Sequence, residues 1–250
     1  MQLKQVIFRD LGLIPYQAAW DYQEKLLNKN VRIKSSIREL VLHQEAFHDT
    51  GIKRQLQTEN FLLFVEHPPV YTLGKSGSEE NILIDENERA SRGIEYFKTN
   101  RGGDITFHGP GQVVGYPIID LENFYTDIGK YLRNIEEVII LTLDEYNIKG
   151  RRSSGETGVW IDPEVPGMER KICAIGVRCS RWITMHGFAF NVNTDLGYFD
   201  HIIPCGIRNK KVTSLKNELG YDISLAEVKE KIKVNFQKVF NVEMVENCND

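Results

Sequence analysis

The sequence predicts an α+β fold built on a mixed sheet, and three observations carry that expectation. Short apolar segments of strand length recur along most of the 250 residues. Only a few stretches place apolar residues three and four apart, the mark of a helix with one face inward. No repeat, low-complexity segment or clear linker divides the chain, so residues 1–250 read as one domain.

Val6-Ile7-Phe8 reads as a short strand. Pro15 then opens a helical stretch to about Asn30, with Ala18, Ala19, Tyr22, Leu26 and Leu27 at helical spacing. Ser36-Ile37-Arg38-Glu39 has the form of a capping box, which predicts a second helix to about Ala46. Phe61 to Glu66 is a continuous apolar run, expected to be a strand buried on both faces. His67-Pro68-Pro69 breaks it, Val70 to Leu73 resumes extended structure, and Ser76 to Asn81 reads as a polar loop. Ile94 to Lys98 and Val113 to Leu121 are further strands. Ile128, Leu132, Ile135, Ile139 and Leu143 mark an amphipathic helix. Val159 to Ile161 and Ile172 to Val177 flank a Pro/Gly/acidic loop and predict a hairpin; Ile183 to Asn191 is another strand. Ser224-Leu225-Ala226-Glu227 opens a last helix that turns Val228, Ile232, Phe236 and Val239 inward.

Hydrophobic residues make up 41% and charged residues 26%, as a globular domain needs. A net charge of −4 offers no basic signal for nucleic acid. The cysteines at 173, 179, 205 and 248 form no CxxC pair, which argues against disulfides and structural zinc. The N-terminus carries no apolar signal core and no run approaches the ~20 residues that span a bilayer, so a reduced, cytoplasmic protein is expected.

Cys205 stands in Pro204-Cys205-Gly206, after apolar residues. Proline fixes φ and glycine permits unusual φ, so the thiol is expected on a tight corner. Such a corner presents sulfur to a cleft and frees nearby backbone N–H groups, two requirements of acyl chemistry. The ordinary alternative is a cysteine packed as a small hydrophobe, which is how Cys173 reads. Arg101 to Gln112 is the densest polar stretch, with five Gly or Pro in twelve residues. It matches neither a Walker loop nor GxGxxG. Lys171 opens an apolar strand. It is either a solvated charge or an amine turned into a cleft, where it can exchange a proton with a thiol. His108 and His186 adjoin Gly-rich segments, and no HExxH pattern or other metal spacing is present.

These residues resemble the octanoyltransferases of protein lipoylation. The Arg-Gly-Gly-x-x-Thr-x-His-x-Pro-Gly-Gln signature occurs at Arg101 to Gln112. Thr-Gly-Val-Trp follows at Thr157 to Trp160, Lys-Ile-x-Ala-Ile-Gly-Val at Lys171 to Val177, His-Gly-Phe-Ala-x-Asn-Val at His186 to Val192, and Pro-Cys-Gly at Pro204 to Gly206. The likeness spans about residues 8 to 220; residues 36–57 read as a helical insertion and the 162–169 loop as a lengthened one. The resemblance implies the catalytic domain of biotin/lipoate protein ligases: a mixed sheet flanked by helices, with a smaller second sheet.

By the same resemblance, Cys205 is the acyl-thioester nucleophile and Lys171 lowers its pKa. The substrate site is implied at Arg101, Gly102, Gly103, Asp104, Ile105, Thr106, Phe107 and His108, at Ala174, Ile175 and Gly176, and at Gly187, Phe188 and Ala189. The apolar residues around Val113, Ile175 and Phe188 are expected to line a slot for the acyl chain. The implied donor is octanoyl-acyl carrier protein. The implied acceptors are lipoyl domains of 2-oxoacid dehydrogenase complexes and the glycine cleavage H protein, with no nucleic acid, membrane, metal or cofactor. Arg151, Arg152, Arg178, Arg181, Arg208, Lys210 and Lys211 adjoin the motifs as a candidate docking face for an acidic carrier. Two rivals share the fold, an ATP-dependent lipoate or biotin ligase and a non-catalytic lipoyl-domain binder. The Cys205–Lys171 pair argues against both.

Overall fold

The computed structural model describes residues 3–42, 57–204 and 211–246. In chain order the elements are β1 (Lys4–Leu13), α1 (Tyr16–Leu42), β2 (Phe61–Glu66), β3 (Val70–Leu73), α2 (Glu86–Ser91), β4 (Glu95–Lys98), β5 (Ile105–His108), β6 (Gln112–Ile118), α3 (Ile128–Asp144), β7 (Val159–Ile161), β8 (Arg170–Ser180), β9 (Ile183–Asn191), β10 (Lys211–Val212), α4 (Leu215–Leu219), α5 (Leu225–Phe240) and β11 (Val242–Glu246). The main sheet runs β10-β8-β9-β6-β2-β1-β11, with β7 also paired to β8; a small sheet runs β4-β3-β5. Strand β1 pairs in parallel with both neighbours, whereas β2, β6, β9 and β8 are joined antiparallel, so the main sheet is mixed as expected.

Both faces of this sheet are covered, which explains why β6 and β9 are buried at every residue and β2 at all but Glu66. On one face Leu62, Phe64 and Val113 pack with Ile135 and Ile139 of α3 and with Ile232 and Phe236 of α5. On the other, Leu63, Val65 and Val114 pack with Ala19, Leu26 and Leu27 of α1. Capping follows the sequence: the Asp127 carboxylate accepts from Lys130 N–H, and the Ser224 hydroxyl accepts from Glu227 N–H.

Three local expectations change. One helix, α1, runs from Tyr16 through Leu42, so no helix ends at Asn30 and Ser36 caps none. Asn30 does not interrupt it, because its buried amide is spent on another segment: Nδ2 donates to Glu59 O at 2.7 Å and Oδ1 accepts from Glu59 N–H at 3.0 Å. The remainder of the 36–57 insertion, from 43 to 56, lies outside the described residues. Strand β1 extends well beyond Val6-Ile7-Phe8, and β11, which no apolar run announces, pairs with it. The polar loop from Ser76 holds a short 3-10 turn at Glu79–Asn81.

Close backbone contact sets the sheet's geometry beside the site. A Cβ on Gly187 of β9 would stand 2.1 Å from the Gly115 carbonyl oxygen of β6. Backbone cannot yield as a side-chain tip can. Gly187→Ala is therefore expected to cost about 3 kcal/mol of stability, read as a lowered urea midpoint at unchanged slope.

Candidate active site

A cavity of about 500 Å³ opens where the small sheet meets strands β8 and β9. The Arg101–His108 segment forms one wall, Ala174 to Val177 and His186 to Ala189 another, and Glu156, Thr157, Lys171 and Pro204 complete it. Of the predicted substrate residues that the structure describes, all but Phe107 line this cavity. Phe107 turns to the opposite side of β5, into the small sheet's own core, where it stacks on Tyr198 at 4.5 Å. The period of two along a strand separates it from its neighbours Thr106 and His108, which line the cavity. It also shifts the slot by one position on β6. Val114 lines the cavity, and Val113 faces the α3/α5 core instead.

The glycines let backbone close on backbone. Gly102 N–H donates to Val177 O at 2.9 Å, which ties the Arg101 loop to β8. Gly176 sits opposite, where a Cβ would reach 2.9 Å from Gly102 O. Arg101 is buried and acts as a brace: Nη2 donates to Thr72 O at 2.5 Å and Thr72 Oγ1 at 2.9 Å. Asp104 lines the cavity while its carboxylate accepts from Asn81 Nδ2 and from its neighbour's backbone, Ile105 N–H, both at 2.7 Å.

His108 belongs to a buried polar chain that crosses the site. Thr72 Oγ1, with Arg101 already donating to it, stands 3.4 Å from His108 Nε2. His108 Nδ1 lies 2.8 Å from Gln112 Oε1, and Gln112 Nε2 donates to Asn191 Oδ1 at 2.8 Å. Asn191 Nδ2 donates to Thr213 O at 3.0 Å, and Thr213 N–H donates to Lys171 O at 2.9 Å. Three motif segments, far apart in sequence, thus share one hydrogen-bond path that ends on the backbone of Lys171. Burial pushes His108 down to about 3, helped by the neighbouring His67. His108 is therefore neutral at neutral pH.

His186 is buried and adopts φ 58°, a backbone conformation few side chains take. Gln23 Oε1 holds its N–H at 2.9 Å, and Nε2 lies 2.7 Å from Asn100 Oδ1. Burial pushes its imidazole down to about 3. Tyr16 was not among the predicted site residues. It lines the cavity and stacks on His108 with ring centres 6.0 Å apart. Its position just after Pro15, at the first turn of a helix, was the available signal.

Lys171 lies in β8 and reaches the cavity wall, with Nζ 4.6 Å from the centre of the Trp160 ring. Cys205 lies outside the described residues; Pro204, which precedes it in the chain, shares the cavity with Lys171. Cys173 is buried, and burial pushes its thiol up, as an inert core cysteine requires. Part of the supposed docking face is committed internally. Arg178 pairs with Glu24 at 2.6 Å, and Arg152 pairs with Glu136 at 3.0 Å and Glu137 at 2.5 Å. Arg208 and Lys210 lie outside the described residues. Among the described residues no helix is long and apolar enough to cross a membrane.

The sequence matches the family model of the lipoyl protein ligase A/B catalytic domain over residues 15–237. It is 56% identical to the octanoyltransferase of Christiangramia forsetii over 242 residues, 96% of this chain and 98% of that one. It is also 56% identical to the octanoyltransferase of Flavobacterium psychrophilum over 243 residues, 97% of this chain and 99% of that one. Among solved structures, the bipartite lipoate protein ligase of Thermoplasma acidophilum superposes with a TM-score of 0.64 at 17% identity, covering 99% of this chain and 87% of that one. A lipoate-protein ligase A bound with ATP gives 0.64 at 16% identity, covering 99% and 89%. Those two share the fold, a mixed main sheet with a small second sheet. With this fold, these motifs and full-length relatives of one activity, the chain belongs to the octanoyltransferase family, the acyltransferases of protein lipoylation.

Proposed function

We propose that the chain moves an octanoyl group from octanoyl-acyl carrier protein to a lysine of a lipoyl domain through a thioester on Cys205. The observation that carries this reading is the meeting of Lys171 and Pro204 on one cavity, with Cys205 the next residue in the chain. Lys171 takes the Cys205 proton, and the thiolate attacks the donor's thioester carbon. Backbone N–H groups at the Cys205 corner or the Gly-rich loop hold the developing oxyanion. The carbon–sulfur bond to the carrier then breaks, and the Lys171 ammonium returns its proton to the departing thiolate. In the second half, the acceptor amine attacks the Cys205 thioester and loses a proton to a base, for which Lys171 is the candidate. An amide forms and the Cys205 thiolate is released. A thioester is already activated relative to an amide, so no nucleotide enters the balance.

The cavity suits an acyl chain in shape and lining. Ile175, Phe188 and Val114 supply apolar surface, and the Arg101–Thr72–His108 chain fixes polar groups around it without offering a titrating acid at neutral pH. Lipoyl domains of 2-oxoacid dehydrogenase complexes and the glycine cleavage H protein are the acceptors of this reading. The cytoplasm, a reducing compartment, keeps the thiol available.

Intact-mass measurement after incubation with octanoyl-carrier tests it. Wild type is expected to gain one octanoyl group, which a lipoyl domain then removes, and Cys205→Ser is expected to gain none. Transfer that depends on a nucleotide would point to a ligase. Failure of the wild type to form any adduct would leave a lipoyl-domain binder.

A further inference from the structure

We propose that Trp160 is a positioning residue for the Lys171 amine, seated for that task by a bulge in β8. The proposal rests on Lys171 being the proton carrier for Cys205.

The pairing of β7 with β8 skips one residue. Val159 stands opposite Cys173 and Trp160 opposite Lys171, which leaves Ile172 as the extra residue on β8. A regular ladder continuing from the Val159–Cys173 pair would place Trp160 opposite Ile172. The bulge therefore brings the indole and the lysine directly opposite each other, and directly opposed residues share a face of the sheet. The amine stands 4.6 Å from the ring centre, within range of cation–π attraction.

The indole is a fixed platform. Trp160 is only 2% exposed, and Arg151 clamps its backbone from the other side through two hydrogen bonds of 2.8 Å. The loop leading into β7 is anchored to α3 by Glu136, a carboxylate with no exposed surface. Its Oε1 accepts from Gly158 N–H at 3.0 Å, and its Oε2 meets Arg152 Nε at 3.0 Å and Arg133 Nη1 at 2.9 Å. Gly158, at φ 121°, completes the seat. A Cβ there would lie 2.6 Å from Cys173 O, and 3.5 and 3.6 Å from Cε and Cδ of Lys171. A lysine stem has many rotamers and a base must stay within hydrogen-bond reach of its proton. A rigid aromatic face behind the amine and a missing side chain beside its stem narrow that choice.

Trp160→Leu and Trp160→Phe in the full chain test the assignment, with octanoyl-carrier as donor, a lipoyl domain as acceptor, and octanoylated lipoyl domain followed by quenched intact mass. Trp160→Leu is expected to lower kcat about tenfold with KM changed less than about twofold, because the loss concerns the amine and not substrate binding. Trp160→Phe keeps an aromatic face and is expected to recover to within about threefold of wild type. In a Lys171→Ala background, Trp160→Leu is expected to change the residual rate no further. Equal losses in the Leu and Phe variants, an undiminished kcat, or a full Trp160→Leu penalty without Lys171 would each overturn the proposal. Should Trp160→Leu fail to fold, Trp160→Phe alone decides: a tenfold loss there overturns it, and near-wild-type kcat supports it only if Lys171→Ala is inactive. Wild-type turnover by Lys171→Ala would instead sink the role of Lys171 itself.

Discussion

Replacing Lys171 with alanine is expected to lower octanoyl transfer about a thousandfold, the scale of a positioned general base. The side chain's first proton partner in this reading is the Cys205 thiol, whose ordinary pKa lies near 8.5. Without an amine beside it, only a small fraction of that thiol is ionised at neutral pH, and the leaving carrier thiolate finds no returning proton. Lys171→Arg separates two ways an amine can help. Arginine keeps a positive charge that favours the thiolate, but it cannot give up its proton. If proton transfer matters, the arginine variant is expected to remain close to alanine in a single-turnover acylation assay. Recovery by arginine would reassign Lys171 as a fixed charge, and wild-type turnover in the alanine variant would remove it from the mechanism. A melting temperature near wild type is expected for both, since the side chain is only half-buried.

The second large effect is acid lability. Burial pushes His67 down to about 4, and His108 and His186 each down to about 3. In the unfolded chain all three titrate near 6.5. Between those values the unfolded state binds the extra protons, so stability is complete above about pH 6.5 and falls as the pH drops toward 4 and below. Full titration can forfeit roughly 3 kcal/mol at His67 and roughly 5 kcal/mol at each of His108 and His186. Arg170 holds the Glu218 carboxyl below the usual range, so that pair is lost in the same direction at still lower pH. Urea unfolding is expected to show stability declining steeply from pH 6.5 to 4.5, with the decline shallower in His67→Gln. His67 bridges Ile14 O at 2.9 Å and the Tyr116 hydroxyl at 2.8 Å, so that variant has a lower plateau as well as a flatter slope. A flat profile over that interval would show that the imidazoles are not held neutral.

Much of the architecture is legible from local pattern. A continuous apolar run marked β2, because a strand covered on both faces has no polar side to show. Ser224 and the three-four spacing marked α5, because capping and amphipathicity act over a few residues. The segments that form the cavity walls were marked by their motifs, and the residues that miss the cavity, Phe107 and Val113, do so by the single-residue alternation of a strand. Other features depend on distant partners. Asn30 reads as a helix end until Glu59, on another segment, takes up both halves of its amide. Strand β11 lacks an apolar run and exists as a strand because β1 offers it an edge.

The sequence by itself determined which residue types are available for acyl transfer, the order in which their segments occur, and where apolar periodicity requires strands and helices. These are properties of short stretches, set by sterics, capping and side-chain spacing. Only the tertiary structure decided that Lys171 faces Trp160 across a one-residue bulge and that the polar chain from Arg101 ends on the Lys171 backbone. It also decided that three imidazoles are kept neutral. Register, burial and hydrogen-bond partnership are relations between segments far apart in the chain, and no single segment carries enough information to specify them.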